Sequence, residues 1–135
     1  MGIVYTGTMA TEQTAKTELD ACKEYMPVTT GKALLLFQEK WVLFIVYNLL
    51  QGPLGFNELS RRAVNVNSRT LSQRLDLLEQ QGIVTRTVHS TIPPRTSYAL
   101  TKMGTEVRPV LEAISAWGEK YMLEEAGEGN GHPPG

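Results

Sequence analysis

Cysteine and histidine are scarce in this chain, and long apolar runs are missing. One cysteine, Cys22, excludes an internal disulfide framework. With only His89 and His132 beside it, widely separated, no ligand spacing suits a zinc site. There is no Gly-rich phosphate loop, and no nucleophile stands near a base in a recognisable pattern. An enzyme is therefore not expected, and no catalytic residue, metal or cofactor is assigned. No uncharged apolar run approaches the ~18 residues that a membrane span needs, and the longest, residues 41–50, has the length of a core helix. Residues 1–13 lack a basic start followed by an apolar stretch, so they do not read as a signal peptide. These absences lead to the expectation of a cytoplasmic protein with no membrane partner.

What is present is ordinary globular composition, with 41% hydrophobic and 20% charged residues, enough for one domain with its own core. The formal net charge is −1, but it is unevenly spread. Residues 1–40 carry −1, residues 41–108 carry +4 and residues 109–135 carry −4. Charges act over about 10 Å at moderate salt, so a locally basic centre attracts phosphate whatever the total.

Along the chain, residues 1–25 are polar and aperiodic and read as a flexible arm. Pro27 marks the entry to a folded domain spanning residues 26–123. A short apolar helix is expected over residues 33–37, and residues 41–50 read as a buried helix closed by Gly52-Pro53. Phe56, Leu59 and Ala63 mark one face of a further short helix. After the turn at residues 64–67, Ser68 is the expected N-cap of a helix striped by Leu71, Leu75 and Leu78 and ended by Gly82. The period then changes to alternation. Residues 83–88 and 96–100 read as strands of a β-hairpin with a long tip at residues 89–95. Thr101 is expected to cap one last helix, and residues 124–135 read as a disordered tail.

The order helix, four-residue turn, amphipathic helix, hairpin is that of a winged helix-turn-helix. The expected fold is mainly α with a small β-hairpin, flanked by N- and C-terminal dimerisation helices. On a helical wheel Arg69 and Gln73 point away from the leucine stripe. With Ser68 and Thr70 they form the candidate major-groove set, because Arg reads guanine, Gln reads adenine and Thr meets a thymine methyl. Lys40, Arg61, Arg62 and Arg74 are the candidate backbone contacts, with solvated surface charge as the plain alternative. Pro93-Pro94 stiffens the chain before Arg95, which reads as a wing cation aimed into a minor groove, or as an incidental arginine on a rigid turn.

These residues resemble HxlR-type regulators, bacterial relatives of the MarR group. The resemblance rests on Lys40-Trp41, Gly52-Pro53, Phe56-Asn-Glu-Leu59, Ser68-Arg-Thr-Leu-Ser-Gln-Arg-Leu75, Leu78-Glu79, Gly82-Ile-Val-Thr-Arg86 and Ile92-Pro-Pro-Arg95 with Tyr98-Ala-Leu-Thr101, and covers residues 26–122. It implies a homodimeric transcription factor whose helix from Ser68 enters the major groove, whose Pro-Pro-Arg hairpin is the wing, and whose first and last helices form the dimer interface. The chain departs from the family pattern at two places. Members commonly carry a cysteine just before the N-terminal proline, where this chain has Met26; Cys22 lies upstream and is the candidate redox sensor, or an incidental thiol. Members also often have two glycines where Gln38-Glu39 stands.

Val107, Val110, Leu111, Ile114, Trp117 and Tyr121 repeat helically near the C-terminus and are the candidate dimer interface, with packing on the same subunit as the alternative. A two-fold dimer would set its recognition helices about 34 Å apart and require an inverted-repeat operator. The expected function is thus a sequence-specific regulator on double-stranded DNA, responding to a redox or small-molecule signal. A small-molecule effector pocket lined by Phe37, Trp41, Phe44 or Trp117 is one further reading, plain core the other. A winged helix used only for protein contact is the rival function.

Overall fold

A computed structural model describes residues 18, 20 and 24–123. Glu18, Asp20, Glu24 and Tyr25 have helical backbone, where the segment was expected to be a flexible arm. Cys22 and residues 124–135 lie outside the described residues.

Pro27 precedes α1, Val28–Phe37, and its carbonyl accepts from Gly31 N–H in the first turn. Helix α2, Val42–Leu49, follows a tight turn in which Trp41 takes φ 77°. It buries Val42, Ile45, Val46 and Leu49, as expected of a helix apolar almost all round. Trp41 packs edge-on to Phe44 with ring centroids 5.2 Å apart, and both Trp41 and Phe37 pack against the core.

The next element was not legible from periodicity. Leu54–Gly55 forms a two-residue strand, β1, leading straight into α3, Phe56–Arg62. Two residues carry no measurable alternation; β1 exists because β3 offers it an edge. Leu59 and Ala63 seal α3 onto the core. In the following turn Asn65 takes φ 77°, a left-handed geometry that asparagine tolerates better than most residues.

Helix α4, Ser68–Gln80, is capped by Asn67 rather than Ser68. The Asn67 Oδ1 accepts from Thr70 N–H at 2.8 Å, and Ser68 is the first helical residue. Asparagine and serine are near-equal N-caps, so the choice falls to where the chain turns. Leu71, Leu75 and Leu78 are buried as the wheel predicts, and so is Leu77. Gly82, at φ 79°, ends the helix and turns the chain toward the sheet.

Strands β2, Val84–Thr91, and β3, Pro94–Leu100, pair antiparallel, and β1 adds to the other edge of β3 in the order β1-β3-β2. Val84 faces Leu100, Arg86 faces Tyr98, and Thr91 faces Pro94, with an irregularity between Val88 and Ser90. The long tip expected over residues 89–95 is thus corrected. Only Ile92 and Pro93 lie outside the strands, joined by a cis peptide bond. Strand pairing satisfies backbone groups that a seven-residue loop would leave to solvent.

Thr101 acts as the expected cap, its hydroxyl accepting from Gly104 N–H at 3.1 Å and donating to Gly82 carbonyl oxygen at 2.6 Å. The single last helix is corrected to two, α5, Lys102–Thr105, and α6, Arg108–Tyr121. Pro109 has no N–H to give to the Thr105 carbonyl, and its ring would clash there, so the helix restarts at Arg108.

Gly104 has no room for a side chain: a Cβ there would overlap the Ile83 carbonyl oxygen and crowd Ile83 Cγ2 and Leu100 Cδ2 at 3.1 Å. Gly104→Ala is expected to lower stability by about 2–4 kcal/mol, since the obstacle is backbone. The urea midpoint measures this. A midpoint equal to wild type would show that β2 and α5 part more readily than their packing implies. No helix among the described residues is long and apolar enough to cross a membrane.

Candidate nucleic-acid interface

The leucine stripe decides which way α4 faces. With Leu71, Leu75 and Leu78 locked into the core, Ser68, Arg69, Ser72, Gln73 and Asp76 are exposed. The side chains of Arg69 and Gln73 make no hydrogen bond or ion pair with any described residue. Thr70 is half-buried, and its backbone N–H is engaged by the Asn67 cap. No acidic residue stands in the first turn, so the positive end of the helix dipole is uncompensated there. At 13 residues α4 is about 20 Å long, enough to lie along a major groove. Ser72 was absent from the expected set, though its position one residue past Leu71 places it on the same polar side.

The four candidate backbone cations separate into two groups. Arg74, a candidate phosphate contact, is engaged within the chain. Its Nε donates to the Lys40 carbonyl at 2.8 Å, its Nη2 lies 3.8 Å from Glu39 Oε1, and its side chain is 18% exposed. It staples α4 to the turn between α1 and α2. Lys40 itself is exposed, with Nζ 6.0 Å from the Trp41 ring centroid. Arg61 and Arg62 both pair with Glu58 one turn back, and Arg62 also donates to Asn48 Oδ1 at 3.1 Å.

Arg95 is exposed near the tip of the wing, paired with Ser90 across the hairpin. Between the wing, α4 and the start of α3 runs a groove of about 470 Å³. Its walls include Asn57 and Glu58 of α3, Ser72 of α4, and His89, Arg95, Thr96 and Ser97 of the wing. His89 Nε2 and Ser97 Oγ lie 2.7 Å apart across the strands. The sequence reading missed these wing residues because it placed residues 89–95 in a loop. The hydroxyl-rich, β-branched run from Val88 to Thr91 carried a strand signal that would have found them.

The base of the wing is tied to α4. Arg86 Nε lies 3.9 Å from Glu79 Oε1, and Arg86 faces Tyr98 on β3. Burial holds the Tyr98 phenol above its ordinary pKa, with Asp76 and Glu79 adding to the rise and the charge of Arg86 opposing it. The folded state thus binds this proton more tightly than the unfolded chain does. The corresponding stability is fully present below about pH 10 and falls as pH rises beyond it. Tyr98→Phe is expected to flatten this alkaline loss when urea midpoints are compared above and below that pH; an unchanged slope would place its origin elsewhere.

The expected dimer stripe divides as well. Val107 and Leu111 pack in the core of their own chain, at 8% and 6% exposure, the same-subunit alternative for the stripe. The break before α6 rotates them inward. Val110, Ile114, Trp117 and Tyr121 stay exposed on α6, with the Trp117 and Tyr121 rings 5.3 Å apart. The aromatic set proposed for an effector pocket is likewise split, since Phe37 and Trp41 join the core cluster while Trp117 stands on this outer face. Among the described residues no three His, Cys, Asp or Glu side chains gather as metal ligands.

Comparison with known proteins agrees with this geometry. The model of the HxlR-like helix-turn-helix family matches residues 36–126. An HTH-type transcriptional regulator of Methanothermobacter thermautotrophicus is 35% identical over 94 residues, covering 70% of this chain and 72% of that protein. The reduced form of the transcriptional regulator YodB from B. subtilis superposes with a TM-score of 0.60 at 31% identity, over 67% of this chain and 88% of that one. The redox regulator HypR in its reduced form superposes with a TM-score of 0.64 at 32% identity, over 68% and 91%. A leucine-backed helix with an exposed Arg/Gln face, followed by a three-stranded wing and matched over two thirds of its length, makes this chain a member of the HxlR-like helix-turn-helix family of transcriptional regulators.

Proposed function

We propose that this protein binds double-stranded DNA sequence-specifically, as a homodimer on an inverted-repeat operator. The observation that carries the reading is the outward face of α4, where Arg69 and Gln73 stand exposed and unpartnered on a helix fixed from behind by four buried leucines. A helix held in place, carrying side chains that can each make two hydrogen bonds to one base edge, is what base recognition needs. Ser68 and the first N–H groups of α4 meet a phosphate at the groove edge. The wing extends roughly 20–25 Å along the backbone and places Arg95 for the neighbouring minor groove. The exposed stripe of α6 supports a second copy as its partner, because a monomer seldom leaves two adjacent aromatics and two aliphatics in water.

The signal is a thiol reaction. Cys22 is the chain's one cysteine, so a disulfide joining it would have to be intermolecular or to a small thiol. The likeness to HypR and YodB supports this choice. Operator affinity in reduced and diamide-treated protein, with Cys22→Ser beside it, tests it: equal affinity in both states removes the redox reading.

The DNA reading is tested by selecting bound duplexes from a random pool, then titrating the winner across a salt series. An inverted repeat, with affinity falling steeply as salt rises, is the expected result. A folded sample that enriches no sequence in either oxidation state favours a winged helix used for protein contact.

A further inference from the structure

Ser68, Arg69, Ser72 and Gln73 lead along the outer face of α4, and the next exposed side chain on it is an acid, Asp76. On a helical wheel at about 100° per residue, Asp76 lies about 20° from Arg69 and about 60° from Gln73, so all three point one way. Ser72, one turn back from Asp76, lines the groove to the wing together with Arg95. Burial raises the Tyr98 pKa and the charge of Asp76 adds to the rise, so the carboxylate lies on the side of α4 that the wing flanks.

Nothing within the chain accounts for an acid there. The Asp76 side chain makes no hydrogen bond or ion pair with any described residue. Its helical neighbours at three and four positions are Ser72, Gln73, Glu79 and Gln80, so no cation stands within a turn and Glu79 repels it. Arg74 is engaged at the turn between α1 and α2, and Arg86 lies beside Glu79. Aspartate is also among the weaker helix formers, and here it stands in the half of α4 nearer the negative end of the helix dipole. A side chain that costs its own helix, in the middle of the outward face, points to a role outside the chain. We infer that Asp76 is a specificity-determining residue: its carboxylate accepts a hydrogen bond from the N4 amino group of a cytosine in the operator's major groove.

The inference rests on the DNA-binding reading above. A carboxylate only accepts, and in the major groove only cytosine N4 and adenine N6 donate. Adenine sets its N7 acceptor beside that donor, whereas the cytosine base presents the donor alone. The negative charge of Asp76 repels the phosphates of every duplex alike, and that part of its effect cancels from the operator-to-random ratio of affinities. The base contact is made only on the operator and does not cancel.

The test repeats selection from a random pool with full-length wild type, Asp76→Ala and Asp76→Asn, then titrates each against the wild-type operator and a random-sequence duplex. Wild type is expected to recover a fixed C·G pair in each half-site that Asp76→Ala no longer selects. The operator-to-random ratio is expected to fall about 5- to 30-fold in Asp76→Ala, with random duplex bound as tightly as before or up to about 5-fold tighter. Asp76→Asn, which adds a donor beside its acceptor, is expected to shift preference at that one position toward adenine. Melting temperature should be no lower in Asp76→Ala, because alanine is the better helix former, and this separates base reading from a structural role. A ratio within about two-fold of wild type would overturn the inference, including the case of a uniform gain on every duplex, which leaves phosphate repulsion alone. Relaxation at a position where wild type selects a base other than cytosine would also overturn it. In these cases wild type still enriches an inverted repeat and the DNA reading stands; a wild type that enriches no sequence removes both.

Discussion

Arg69→Ala is expected to weaken operator binding by about 10- to 100-fold, the worth of one paired base contact at about 1–3 kcal/mol. Arg69 is exposed on α4 and its side chain bonds to no described residue, so its removal leaves no orphaned partner inside the protein. The melting temperature should stay near wild type, because surface substitutions of this kind change stability little. Two features separate base reading from phosphate contact. Preference at one operator position should relax, and affinity for random duplex should fall much less than affinity for the operator. Gln73→Ala is expected to act likewise at a neighbouring position, one turn further along the groove. Uniform loss on every duplex, with a salt slope shallower by about one charge, would instead assign Arg69 to phosphate.

The second large effect concerns assembly. Ile114→Asp combined with Trp117→Asp is expected to leave a folded monomer and to reduce operator affinity by more than about 100-fold, since one half-site replaces two. Ile114 and Trp117 are 50% and 57% exposed in the single chain, so the substitutions meet water and not core if no partner covers them. If a second copy covers them, each buried carboxylate lacks a counter-charge and the interface opens. Sedimentation at working concentration gives the mass directly. A double variant that remains dimeric would move the interface away from α6. Leu111→Asp is the wrong probe, since Leu111 lies in the core and its substitution would unfold the chain.

Much of this was written in local pattern. The leucines at 71, 75 and 78 fixed the helical phase of α4, and with it the exposure of Arg69 and Gln73, because a helix backed by a core has one way to face. Thr101 and Gly82 were legible as punctuation because their chemistry is local: a hydroxyl within reach of an N–H three residues on, and a backbone able to take positive φ. Val107 and Leu111 were not assignable in the same way. They share the repeat of Val110, Ile114 and Trp117, and only the restart of the helix at Pro109 and the position of the neighbouring core decided that two face inward and the rest outward.

The sequence by itself determined the order of helix, turn, helix and hairpin and the face that α4 turns outward, since these follow from periodicity, capping and composition within a few residues. Tertiary structure alone decided the rest. Strand β1 exists only through its pairing with Tyr98 and Ser97 across more than forty residues. Arg74 is engaged by a carbonyl 34 residues away, at Lys40. Glu58 comes to line one groove with Arg95 because the wing folds back opposite it. A charged side chain carries the same formula whether it meets solvent, a carbonyl or a phosphate, and which of these it meets is set by segments distant in sequence that only the fold brings within hydrogen-bond reach.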